Sequence, residues 1–102
     1  MKTNIKQLEK TFVGVGEVAG FKFTQIYSCT AAYLYEVDQC GVIHYELLKR
    51  RETPLCIDFV KRLYSETEFK EVYPKSNDFG IWAWSCSTLR RALIRYNLFI
   101  EQ

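Results

Sequence analysis

The side chains of this 102-residue chain that could do chemistry are few and far apart. His44 is the single histidine, and an imidazole can serve as a general base or a metal ligand. On a strand it would share a face with Glu46, which is the ordinary setting of a sheet-surface histidine. Four cysteines stand at 29, 40, 56 and 86, separated by 11, 16 and 30 residues. No C-x-x-C pair occurs, so a Cys/His zinc site would have to gather every ligand from a distant segment. The spacing suits buried or half-buried free thiols in a reducing compartment. Asp58 lies amid apolar residues in "LCIDF", and no second carboxylate stands at a spacing for paired acid–base work. A helix-surface or capping role is expected for it. "DFG" at 78–80 has the letters of the kinase magnesium motif, but kinase chemistry also needs a glycine-rich loop, a strand lysine paired to a helix glutamate, and a catalytic loop. The chain is too short to hold them. Asp78 is expected to end a turn, with Gly80 taking a backbone conformation that other residues resist. "GVGEVAG" (14–20) contains G-x-G-x-x-A, yet a dinucleotide-binding turn must open a helix, and here the glycines run into an alternating stretch. A glycine-relieved bulge or loop at a sheet edge is expected there. These residues build no catalytic set, and the chain reads as a non-enzyme with no cofactor and no metal.

What remains is aromatic and basic. Aromatic residues make up 16% of the chain, with seven Phe, seven Tyr and two Trp. Tyr, Trp and Arg are the usual anchors of protein interfaces. Tyr33, Tyr35, Tyr45, Trp82 and Trp84, with Arg50, Arg51, Arg90, Arg91 and Arg95, are therefore the candidate partner-binding residues. The same groups could contact phosphates while tyrosines stack on bases. "GFKFTQI" (20–26) has something of an RNA-reading strand, but Lys22 stands where that motif wants Gly or Ala, and the βαββαβ order is missing. The net charge of +2 gives no strong footprint for nucleic acid or an anionic membrane. For the helical arginines a solvated face is the plain expectation.

The elements that must position these residues can be read from periodicity. At 48% hydrophobic content the chain can fold, and its length suits one domain, 1–102, in which 1–10 form a short helical turn or a loose N-terminal arm. "FKFTQIYS" (21–28) alternates as a strand. "AAYLYEV" puts Tyr33, Tyr35 and Val37 on one face, and "VIHYELLKRR" puts Ile43, Tyr45 and Leu47 on one face. The link "DQCG" (38–41) reads as a hairpin turn, so an antiparallel meander of three strands is expected. Residues 53–70 are ambiguous. Apolar residues at 55, 56, 59, 60, 63 and 64 make a helical stripe behind Thr53-Pro54, and Ser65 with Glu68 resembles a capping box, which favours helix to about Val72. Leu55, Ile57 and Phe59 also alternate, which would suit a strand. Pro74 ends whatever precedes it. "IWAWSC" (81–86) reads as a short strand or the lead-in to a helix. Ser87 is the expected N-cap of a C-terminal amphipathic helix that aligns Leu89, Ala92, Leu93, Tyr96 and Ile100 on one face. The fold class is α+β: an antiparallel sheet of three to five strands with that helix packed on one face. No signal-peptide core and no apolar run of spanning length occurs, so a cytoplasmic protein with no membrane partner is expected.

The order "AYLYEV…HYELLKRR…YPKSNDFGIWAW…LRRAL" resembles a group of small uncharacterised proteins from bacteriophages and mobile elements of gut bacteria. Their shared features are a "YEV…HYEVFKR" hairpin, a "YP-x-[ST]-x-x-FG-x-WAW" segment and a final amphipathic helix. The matching positions are Tyr35, Glu36 and Val37; His44, Tyr45 and Glu46; Tyr73, Pro74 and Ser76; and Phe79, Gly80, Trp82, Ala83 and Trp84. The resemblance spans about residues 20–98, and segment 53–70 is longer here than in the shorter members. That group has no established activity, so no catalytic residue is transferred. The resemblance implies a phage-like origin in a host cell and, by association with other small phage proteins, binding and inhibition of a host protein such as a defence nuclease. The alternative is a nucleic-acid-binding accessory protein using the basic helix and the hairpin tyrosines. A homodimer through an exposed sheet edge is a further option.

Overall fold

The computed structural model describes residues 4–100. In chain order the elements are β1 (Asn4–Lys6), β2 (Thr11–Val13), β3 (Lys22–Ser28), β4 (Ala32–Gln39), β5 (Val42–Lys49), β6 (Glu52–Asp58), β7 (Leu63–Glu71), β8 (Ala83–Cys86) and α1 (Leu89–Ile100). The architecture is α+β, with a five-stranded sheet, a three-stranded sheet and a helix on the larger one. The chain divides into two compact units.

The larger unit takes Glu9–Lys49 and the described residues from Pro74 onward. Its sheet has the order β2-β3-β4-β5-β8, antiparallel throughout. The expected meander is its centre. Gln39 pairs with Val42, so the turn between β4 and β5 has two residues. Cys40 and Gly41 take φ of +52° and +95°, the left-handed pair of a type I′ turn whose twist matches that of the strands. Asp38 Oδ1 accepts the Gly41 N–H at 2.7 Å.

The pleat divides β4 cleanly. Ala32 and Leu34 face α1 and join Leu47, Ala92, Tyr96 and Phe99 in the main core cluster. Tyr33, Tyr35 and Val37 face the other way and are also buried. On that second face Phe12 stacks on Phe23 at 4.6 Å between centroids, and its edge meets the Tyr35 ring. A register shift between Gln25 and Tyr27 breaks the alternation of β3. This bulge turns Tyr27 to the helix side, where its ring lies 5.8 Å from that of Tyr96.

β8 closes the sheet beside β5 and carries Trp84 to the helix side, packed against that core. The turn before it is held by Asp78, whose carboxylate accepts the Lys75 N–H and whose carbonyl accepts the N–H groups of Ile81 and Trp82. Gly80 has φ +92°. The DFG letters are thus a turn. Helix α1 begins one residue later than expected: Thr88, not Ser87, is the cap, with its Oγ1 accepting the Arg91 N–H at 3.3 Å. Leu89, Ala92, Leu93 and Tyr96 pack as the periodicity predicts. Phe99 takes the place expected of Ile100, because its ring reaches Trp84 at 5.6 Å while Ile100 is exposed.

The smaller unit takes the described residues through Leu8 and Arg50–Tyr73. Its sheet has the order β1-β7-β6, with β1 parallel to β7 and β6 antiparallel to it. Two expectations are corrected here. Residues 4–6 are a paired strand, neither helical turn nor arm; three residues carry too little pattern to announce a partner as distant as Glu68–Lys70. Residues 53–70 are a hairpin, not a helix. Pro54 sits on the edge strand beside a register shift, where a missing N–H is tolerated. Asp58 caps the hairpin turn, its Oδ1 accepting the N–H groups of Val60 and Lys61. Ser65 does use its hydroxyl as a cap, accepting from Thr67 and Glu68, but it serves an irregular stretch of β7 opposite those register shifts.

Glu71 anchors this unit. Its carboxylate accepts the Leu8 N–H at 3.0 Å and the Arg50 Nε–H at 2.7 Å. Cys29 and Cys86 are half-buried thiols outside any disulfide, as expected, whereas Cys40 and Cys56 are exposed because each lies in or near a hairpin turn. No helix among the described residues is long and apolar enough to cross a membrane.

Candidate functional site

The candidate site lies where α1 overhangs the end of β8, entirely within the larger unit. The helix turns Ala92, Tyr96 and Phe99 down to the sheet. That leaves the neighbouring stripe of Arg91, Ile94, Arg95 and Leu98, at i, i+3, i+4 and i+7, lining an open groove of about 740 Å³. The floor and far wall come from His44 on β5 and from Ser85, Cys86 and Ser87.

Arg95 is held in place from below. Its guanidinium carbon lies 5.1 Å from the Trp84 ring centroid, a cation–π contact of about 0.5–1 kcal/mol where solvent has access. Trp84 is steadied in turn by Phe99. Arg91 and Arg95 stand one helical turn apart, an arrangement that costs a few tenths of a kcal/mol for like charges. Among the described residues neither makes an ion pair. Their five-donor forks therefore remain available for an oxyanion such as a carboxylate or phosphate.

His44 is tied down. Its Nε2 donates to Glu46 Oε2 at 2.9 Å, the two side chains lying on one face of β5 as expected. Among the described residues no hydrogen bond joins the imidazole to the Cys86 thiol or to the Ser85 and Ser87 hydroxyls, and no group of three or more metal-ligating side chains occurs.

β8 also offers a short open edge. The Lys49 N–H donates to the Trp82 carbonyl, so the alternation of an antiparallel ladder directs Trp84 and Cys86 toward β5 and Ala83 and Ser85 outward. The Ala83 carbonyl is taken by the Gly80 N–H.

Of the ten sequence-named residues two, Arg91 and Arg95, line this groove, and a third, Trp84, lies beneath Arg95. Arg90 is exposed on α1 outside its lining. Tyr45 is half-buried against the core beneath the helix. Tyr33, Tyr35 and Trp82 are buried. The Tyr35 hydroxyl is occupied as well, donating to the Glu9 carbonyl and accepting from Gln25 Nε2. Arg50 and Arg51 belong to the smaller unit, where Arg50 pairs with Glu71. Residue-type reasoning missed Ile94, Leu98, Ser85 and Ser87. The signal for the first two was present in the 91-94-95-98 spacing, which is as regular as the core stripe beside it.

No protein-family model, no curated protein and no solved structure matches the chain.

Proposed function

We propose that this chain is a non-catalytic interaction module that binds a protein partner through the groove between α1 and β8. The observation that carries the reading is the joint presence in one open groove of two arginines and two exposed aliphatics, with one of the arginines seated on the Trp84 ring. Guanidinium groups select carboxylates, and Ile94 and Leu98 supply apolar contact beside them. The partner segment is acidic with apolar residues interleaved. In keeping with the phage-like resemblance it belongs to a host protein, and occupying it blocks that protein, a defence nuclease being one such target.

Nucleic acid fits less well. Stacking needs exposed rings, and the hairpin tyrosines Tyr33 and Tyr35 are buried.

The test is affinity capture from a gut-bacterial lysate with the wild-type chain and with Arg91→Glu/Arg95→Glu, quantified protein by protein. A partner retained by the wild type and depleted at least about tenfold with the double variant supports the reading, tenfold being about 1.4 kcal/mol. Equal retention by both chains overturns it. Low-salt anisotropy titrations with single- and double-stranded DNA and RNA run beside it; binding lost in the double variant would transfer the groove to nucleic acid.

A further inference from the structure

The groove-side residues of α1 stand in two short rows. Arg91 and Arg95 are one turn apart, and so are Ile94 and Leu98, which are 60% and 59% exposed. The rows lie side by side along two turns, about 10 Å of helix. Neither is used inside the molecule. The arginines make no ion pair among the described residues, and the sheet takes Ala92, Tyr96 and Phe99 instead. No carboxylate lines the groove, and none occurs in α1 or β8. Glu46, the carboxylate bonded to His44, lies outside the lining.

Resting on the reading of this groove as a protein-binding site, we infer that its occupant is an amphipathic α-helix of the partner, with two acidic residues one turn apart beside two apolar residues one turn apart. The conformation follows from the two rows. An extended strand presents a single row of side chains on each face, at i, i+2 and i+4. A helix presents neighbouring i, i+4 rows on one face, so its acids reach the guanidiniums while its apolar residues reach Ile94 and Leu98. The sheet edge offers an extended segment little else. Of the two outward residues of β8, Ala83 is already bridged to Phe79, and its carbonyl accepts the Gly80 N–H at 2.6 Å. A partner strand would find one residue of β8 to pair with, whereas a helix satisfies its own backbone. Charge selects the chemistry: two guanidiniums with no acid in the lining favour carboxylates. A second copy of this chain offers no such helix, since α1 is the only α-helix among the described residues and carries no Asp or Glu. A lipid surface fits poorly. A helix lying on a membrane buries its apolar face there, and that of α1 is already packed on the sheet.

The test is a displayed library of random peptides of about 16 residues, long enough for an isolated helix, selected on the wild-type chain and counter-selected on Arg91→Glu/Arg95→Glu. That variant should fold, since both positions are exposed and a glutamate at 91 suits the third position of a helix capped by Thr88. Enriched peptides should carry Asp or Glu at i and i+4 with apolar residues at i+3 and i+7. The best of them, titrated by fluorescence anisotropy, should gain helical circular dichroism on binding and lose at least about 30-fold in affinity when a central residue becomes proline. Arg91→Glu/Arg95→Glu should weaken it about 30-fold, and exchanging the peptide's two acids for lysine should restore most of that loss. Enriched peptides with acids at period two, peptides without acids, proline tolerance, or no enrichment at all each overturn the helix inference, while the lysate capture decides the groove reading separately. Co-sedimentation of the wild type with phosphatidylglycerol vesicles, abolished by Ile94→Ser/Leu98→Ser, would overturn the inference and the groove reading together.

Discussion

The sharpest stability test concerns Glu71 and Arg50. The Glu71 side chain is 4% exposed and that of Arg50 24%, and they meet at 2.7 Å. Glu71 also receives the Leu8 N–H, so one carboxylate joins the N-terminal segment, the start of the 50–73 stretch and the end of β7. Replacing Arg50 by Met keeps the apolar stem and removes the guanidinium, leaving a desolvated carboxylate without that cation. Breaking a fully buried pair from one side costs about 3–5 kcal/mol. Water reaches part of Arg50, which screens the interaction, so about 2–3 kcal/mol is the expectation here. At about 4–8 °C per kcal/mol for a domain of this size, Tm should fall by about 10–20 °C. Urea unfolding followed by far-ultraviolet circular dichroism measures the loss. Hydrogen exchange should place it first in the amides of Ile5–Leu8 and of β7. Arg50→Met/Glu71→Met should be less destabilised than Arg50→Met alone, because it removes the buried carboxylate together with its cation. If Arg50→Met lies within about 0.5 kcal/mol of wild type, the range of ordinary surface substitutions, Glu71 is not the anchor described.

Two further outcomes follow from local geometry. Cys40→Asn should raise stability by about 0.5–1 kcal/mol, read from the urea midpoint at unchanged slope, because Asn tolerates the left-handed conformation that Cys40 holds in the type I′ turn; an unchanged or lowered midpoint would refute this. The Tyr96 phenol is pushed up to about 12 from its ordinary 10.0 by burial first and by its hydrogen bond with the Cys29 thiol second, so the neutral phenol contributes stability that is fully present below pH 10 and is lost as pH rises from 10 toward 12. The urea midpoint should therefore fall more steeply over that window in wild type than in Tyr96→Phe, and parallel profiles would refute it.

The sequence made one half of this molecule legible and obscured the other for identifiable reasons. The meander is readable because β4 and β5 are packed against a core, so the pleat writes itself into Tyr33, Tyr35 and Val37 on one side and Leu34 and Leu47 on the other. The β6–β7 hairpin lacks that constraint. Leu55 and Phe69 are half-buried, but Ile57, Phe59, Val60, Leu63 and Tyr64 are exposed. Apolar residues released from burial need keep no period, and theirs happens to match a helix. The strongest cap signal in the segment, Ser65 with Glu68, is real chemistry spent on closing an irregular stretch of strand. Bulges defeat reading in the same way: the shift at Gln25/Tyr27 moves one tyrosine across the sheet with no change in the letters.

The site was half legible for a deeper reason. Periodicity says which side chains share a face; whether that face is covered depends on the rest of the chain. Tyr33 and Tyr35 have the residue types of interface anchors and are buried, because both faces of β4 are covered. Trp82 and Trp84 are two apart, yet Trp84 lies under the guanidinium of Arg95 while Trp82 is buried outside the cluster beneath the helix. Conversely, α1 is wide enough to carry two apolar stripes. The sheet covers only the one through Ala92, Tyr96 and Phe99, leaving Ile94 and Leu98 beside two arginines at the surface. An aliphatic stripe at helical spacing next to cations, with the core requirement already met by its neighbour, is therefore a better pointer to a binding surface in this chain than its tyrosine count.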